Sequence, residues 1–185
     1  MGSLPRYLLL LTLLVAPGLA AAAQPDYDLL EALGFQTTNA AGDSRGLQLN
    51  GSYLIGEGFF AEGSASHVHD SDADLSTDTL FGGLGYRARF RLTDVFLSVD
   101  WLHLGTDAAG TRTSQDGYRW VWGLRSDVTE DLELNFGIER SSVGESDVGL
   151  LLGESYAFST NLSLRAQYVR FPNAHSWVLG LRYYY

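Results

Sequence analysis

Apolar and polar residues alternate one by one through most of this chain, and that period leaves little choice of secondary structure. Successive side chains on a β-strand point to opposite faces, whereas a helix needs apolar residues three or four apart. Leu47, Leu49, Gly51, Tyr53 and Ile55 are interleaved with Gln48, Asn50 and Ser52. Leu80, Gly82, Leu84, Tyr86, Ala88 and Phe90 alternate with Gly83, Gly85, Arg87 and Arg89. The same pattern returns at Val95, Leu97, Val99 and Trp101, and again at Tyr118, Trp120, Trp122 and Leu124. It continues through Leu132, Leu134, Phe136 and Ile138 and reaches the final residues, Trp177 to Tyr185. From Tyr27 onward no helical period is sustained.

Turn residues divide this pattern into ten strands, predicted at 27–37, 46–56, 58–67, 77–91, 94–105, 117–128, 131–141, 148–158, 161–171 and 176–185. Short connections (Gly56-Glu57-Gly58, Thr93-Asp94, Thr129-Glu130-Asp131, Ser159-Thr160-Asn161) alternate with mostly longer polar ones at 37–45, 68–77, 106–116, 142–147 and 172–176. An even number of antiparallel strands returns both ends to one side. The expected fold is therefore all-β, an antiparallel up-and-down barrel of about ten strands, with eight as the alternative. Two stretches blur the facing: Glu31 shares a face with Leu29 and Leu33, and Glu154 shares one with Leu152 and Tyr156.

Alternation alone does not separate a water-soluble barrel, apolar inside, from a transmembrane barrel, apolar outside. The polar face decides. It mixes charges of both signs with Gly, which makes poor solvent-facing strand, and the apolar face carries Trp and Tyr near strand ends. A transmembrane barrel has a polar interior and aromatic girdles of this kind.

Residues 1–23 read as a signal peptide: Arg6 as a positive start, Leu8 to Val15 as the apolar stretch, and Ala20 to Ala23 as a small-residue cleavage zone. That apolar stretch is shorter than the roughly 20 residues a spanning helix needs. The barrel domain then occupies 24–185. With 22 acidic and 12 basic residues the net charge is -10, which argues against nucleic acid as a partner, since phosphate binding needs clustered Lys and Arg. The sequence has no cysteine, hence no disulfide, thiolate metal site or lipid-modified cysteine.

Trp177, Leu179, Leu181, Tyr183 and Tyr185 place an apolar residue at every second position back from the last residue. This pattern resembles the C-terminal insertion signal of outer-membrane proteins. With it, residues 24–185 resemble the small outer-membrane β-barrel families of Gram-negative bacteria, the group that includes OmpA-like and OmpX-like barrels. The resemblance implies location in the bacterial outer membrane and a monomer. It also implies surroundings of membrane lipid and lipopolysaccharide, with the barrel-assembly machinery as partner during insertion.

The alternation sends Arg87, Arg89, Arg119, Arg125, Arg165 and Arg182 inward, together with Glu62, Asp100, Asp127, Glu133 and Glu139. In a narrow barrel such groups should pair, because a buried charge without a partner is costly. A lumen mostly plugged by Arg–carboxylate pairs is the expectation, with a structural or surface-interaction role. The alternative is a small porin or narrow channel, suggested by many Gly and few bulky apolar residues on the inner face.

A lipid-modifying hydrolase is a more distant alternative. It needs a nucleophile, a histidine and an orienting acid on one face. His175 and Ser176 are adjacent, and Asp100 and His103 are three apart, so both pairs face apart. No catalytic residue and no cofactor is assigned. The segment His67-Val68-His69-Asp70-Ser71-Asp72-Ala73-Asp74 holds candidate metal ligands (His67, His69, Asp70, Asp72, Asp74), without the Gly and closing Glu of an EF-hand loop.

Overall fold

The computed structural model describes residues 26–40, 42–70, 75–143 and 148–185. The expected signal peptide lies outside them. Ten antiparallel strands follow in order: β1 (Leu29–Asn39), β2 (Gly42–Leu54), β3 (Phe59–Asp70), β4 (Leu75–Phe90) and β5 (Thr93–Ala108). They continue with β6 (Thr111–Asp127), β7 (Leu132–Ser141), β8 (Val148–Ser159), β9 (Leu162–Arg170) and β10 (Ala174–Tyr184). Each strand pairs with its sequence neighbours, and β1 pairs with β10 from Leu29↔Tyr184 to Asn39↔Ala174. The sheet is thus a closed barrel with no free edge.

All ten strands lie where the alternation put them, but they run further at one end. We call the end carrying Tyr27 and Tyr184 proximal and the other distal. The stretches expected as distal loops at 37–45, 68–77 and 106–116 are largely strand. β5 and β6 reach 16 and 17 residues and meet at Ala109-Gly110, both with positive φ (50° and 82°). Positive φ at both central residues is the mark of a tight hairpin whose twist matches its strands. The loops were misread because both faces turn polar there, and period-2 patterning vanishes where neither face is apolar. At the proximal end the turn expected at Thr93-Asp94 is Arg91-Leu92 instead, so Asp94 belongs to β5.

The outward face is apolar. Leu49, Leu84, Leu97, Leu150 and Leu179 are exposed on it. Aromatic side chains gather at both levels: Trp101, Tyr118, Trp120, Tyr168 and Trp177 distally, Tyr53, Phe59, Tyr86, Phe158 and Tyr183 proximally. The buried side chains of the interior are in good part ionic. This inside-out polarity is that of a transmembrane barrel, since a soluble one would expose its charges and bury its leucines. Both doubtful strands take a definite facing. Leu29, Glu31 and Leu33 all point inward and are buried, and Glu154 points outward between Leu152 and Tyr156. The one register shift among the described strand pairs falls in β8 between Ala157 and Ser159, beyond Glu154.

Candidate functional site: the charged lumen

Every second residue of each strand enters the lumen, and the inward set is layered. In the proximal layer Glu133 on β7 accepts hydrogen bonds from Arg125 on β6 (2.5 Å) and Arg182 on β10 (2.8 Å). Because β8 and β9 lie between β7 and β10, the Arg182–Glu133 pair crosses the lumen. Arg182 also donates to Glu31 on β1 (2.7 Å), which accepts from Arg165 on β9 (2.7 Å) and Asn50 on β2 (2.8 Å) as well. Arg165 donates in turn to Gln167. Arg182 is 1 % exposed. Charges this far from water persist only when each is matched by an opposite charge and its hydrogen bonds are used.

Beside this chain, Arg87 on β4 donates to Asp94 on β5 at 2.8 Å, while Arg89 is 3.8 Å from the same carboxylate and half-exposed. Tyr27, just before β1, links the two groups. Its ring centroid is 4.6 Å from the Arg87 guanidinium carbon and 4.5 Å from that of Arg125. A guanidinium over an aromatic face is held by the ring quadrupole, more so when both are shielded from water. Burial pushes the Tyr27 phenol up to about 12.

The second layer lies nearer mid-barrel. Arg119 on β6 donates to Asp100 on β5 at 2.8 Å, and lies 3.5 Å from Glu62 on β3 and 4.0 Å from Glu139 on β7. Its guanidinium carbon is 3.5 Å from the Phe81 ring centroid. One arginine thus faces three carboxylates here, whereas the proximal end carries Arg87, Arg89, Arg125, Arg165 and Arg182 against Glu31, Asp94, Glu133 and, at its mouth, Asp127. Lumenal charge is therefore polarised along the barrel axis.

Of the expected network, Glu62, Arg87, Arg89, Asp100, Arg119, Arg125, Glu133, Glu139, Arg165 and Arg182 all take part. Asp127 sits opposite Glu133 at the proximal mouth and joins none of the ion pairs among the described residues. Sequence reasoning missed Glu31, Asp94 and Tyr27. Asp94 was read as turn, and Glu31 was obscured by the inward leucines beside it.

Bulky apolar side chains are more numerous inside than expected. Leu29, Leu33, Phe60, Leu102, Val121 and Val178 are buried, and Phe81 and Phe96 also line the lumen. Phe60 fits because Gly85 faces it: a Cβ at Gly85 would stand 2.1 Å from the ring. Between and above the two layers remains a cavity of about 380 Å³.

The other candidates do not converge on a site. His67 and His69 lie on β3 and point outward, while Asp70 alternates to the other face. His67 pairs with Asp78 at 2.7 Å rather than with its own loop, and Asp72 and Asp74 lie outside the described residues. Among the described residues no group of three or more ligand-type side chains is placed to hold a metal ion. Asp100 points inward and His103 outward; Ser176 bonds Thr37 inside at 2.7 Å while His175 lies tilted against Tyr168 outside, with ring centroids 6.1 Å apart. Trp177, Leu179, Leu181 and Tyr183 all face outward on β10.

Comparison with known proteins returned no match among family models and none among curated sequences. Solved structures do match. A KdgM porin aligns with 85 % of this chain and 99 % of its own, at TM-score 0.53 and 11 % identity. A NanC porin aligns with 84 % of this chain and 100 % of its own, at TM-score 0.52 and 9 % identity. The translocator domain of the autotransporter NalP from Neisseria meningitidis covers 89 % and 91 %, at TM-score 0.50 and 13 % identity. At these identities the likeness is one of fold: the chain has the architecture of outer-membrane barrels.

Proposed function

We propose that this protein is an integral barrel of the bacterial outer membrane whose lumen is closed by its own ionic layers, with a structural or surface-interaction role. The observation that carries the reading is the crossing pair Arg182–Glu133, extended by Glu31 and Arg165 on one side and Arg125 on the other. These groups span the lumen from β6 to β1. Closure is supported further by Tyr27, Phe60 and Phe96, whose rings fill the space beside them. In this reading the proximal end faces the periplasm and the extended hairpins face outward. The row Trp177, Leu179, Leu181, Tyr183, Tyr185 serves as the insertion signal for the assembly machinery, and the exposed leucines meet lipid.

The test has two stages. The first compares the mobility of boiled and unboiled membrane-extracted protein on an SDS gel; a faster unboiled band is expected for a closed, SDS-resistant barrel, and equal mobility would refute the membrane reading. The second is planar-bilayer recording, for which silence is expected.

A narrow channel is the second reading, favoured by the cavity of about 380 Å³ and by the fold shared with the KdgM and NanC porins. Discrete conductance steps would establish it.

A further inference from the structure

Outside the lumen, the distal rim carries a second set of charges, and they are distributed unevenly around the barrel. On the β1–β6 side each outward histidine or arginine of the rim has a carboxylate within two residues on the same face, although Arg45 and Arg112 form no ion pair among the described residues. For Arg45, whose register neighbours are Gln36 and His69, that carboxylate is Asp43. His67 pairs with Asp78 at 2.7 Å and His103 with Asp116 at 2.8 Å. Asp43 accepts from Gln36 and Thr38, and Arg112 lies in register with Asp107. The β7–β10 side differs. Arg140 and Arg170 point outward and are exposed, with no ion pair among the described residues. Their register neighbours are Trp120 and Val148 for Arg140, and Leu150 and His175 for Arg170. No carboxylate among the described residues stands beside either.

These arginines sit at a particular level. Immediately proximal to them on the outward face are Tyr168 and Trp177, whose rings are 4.7 Å apart, and His175 lies 6.1 Å from Tyr168. Aromatic belts mark the boundary between hydrocarbon and headgroups. A guanidinium just beyond that belt stands among headgroups, where phosphate is the anion it recognises best through paired N–H donors. Arg140 and Arg170 are separated by one strand, roughly 10 Å laterally, and by two residues along it, roughly 7 Å, since Arg140 is level with Val148 and Arg170 with Leu150. That spacing suits two phosphates on one headgroup.

From this arrangement we infer that Arg140, Arg170 and His175 form a binding surface for a phosphorylated glycolipid of the surrounding outer leaflet. The two arginines hold its phosphates, His175 adds a ring N–H, and Ile138 and Leu152, one step proximal on the outward face, lie against its acyl chains. The inference rests on the outer-membrane reading above. It adds a position on the barrel wall, a partner chemistry and a role for two exposed arginines that have no carboxylate beside them among the described residues.

The test uses the full barrel folded in dodecyl maltoside micelles, with native mass spectrometry as readout. The probes are lipid A bearing both phosphates and the same lipid after enzymatic removal of them. The folded protein should retain the phosphorylated lipid about tenfold or more tightly over the dephosphorylated one. R140Q/R170Q should erase that difference, while R45Q/R112Q, on the opposite sector, should preserve it. Equal retention of the two lipids by the unmodified protein, or a preference that survives R140Q/R170Q, would overturn the proposal. Gel mobility of unboiled samples separates the two levels. A barrel that shifts normally but shows no phosphate preference removes this surface alone, whereas loss of the shift in the unmodified protein removes the membrane reading and the surface with it.

Discussion

Replacing Arg182 by methionine isolates the energetic claim made for the lumen. Methionine keeps the unbranched apolar stem and removes the guanidinium that reaches Glu31 and Glu133. Removing one partner of a buried pair costs about 3–5 kcal/mol, because the remaining charge stays away from water. Here each carboxylate keeps a second arginine, Arg165 for Glu31 and Arg125 for Glu133, and Glu31 also keeps Asn50. The expected loss is therefore at the lower limit, about 3 kcal/mol. Urea unfolding from phospholipid vesicles measures it. All four tryptophans, Trp101, Trp120, Trp122 and Trp177, lie exposed on the outer face, so their fluorescence reports departure from lipid. The pair itself is tested by E133Q and by R182M/E133Q together. Residues in one network couple by roughly 0.5–3 kcal/mol, so the double variant should be less damaged than the sum of the singles. A loss below about 1 kcal/mol for R182M, or strict additivity, would refute the crossing network as a stabilising element.

Three other perturbations have defined outcomes. In G85A the new methyl would overlap the Phe60 ring, so a loss of about 1–3 kcal/mol is expected in the same urea assay, with partial recovery in G85A/F60L; an unaffected G85A would contradict the packing. Glu154 faces lipid between Leu152 and Tyr156, and E154L should raise stability by about 1 kcal/mol, whereas a fall would place this carboxylate in a favourable contact on the outer wall. Y183A/Y185A should lower the amount of barrel assembled in cells far more than the yield of unassisted folding into short-chain lipid, and an equal drop in both would assign these tyrosines to stability rather than to insertion.

What could be read in advance follows from how local each determinant is. Strand number and the facing of most residues came from a period-2 pattern carried by neighbours such as Trp120, Trp122 and Leu124. Ten of the eleven expected lumenal charges joined the network for the same reason. The facing of β1 was ambiguous because Leu29 and Leu33 are inside, filling space beside Tyr27 and Phe60, so polarity no longer indexes direction there. The partners themselves were not legible. That Arg182 meets Glu133 across the lumen, as well as Glu31 beside it, depends on barrel circumference and register, and neither is written in any single strand. Gly85 and Phe60 illustrate the same limit, a small residue and a large one on strands whose register had to be known first.

The contact between Glu31 and Arg182 joins residues 151 positions apart on the first and last strands, so it forms only when the sheet meets itself. Before that moment Arg182 lacks one of its acids and Glu31 lacks both of its arginines, since β9 and β10 lie across the gap from β1. An almost-finished sheet is accordingly penalised twice, by two bare strand edges and by uncompensated charge. Neutralising the interior and sealing the wall are one event, which gives this small barrel a latch that engages only at full circumference.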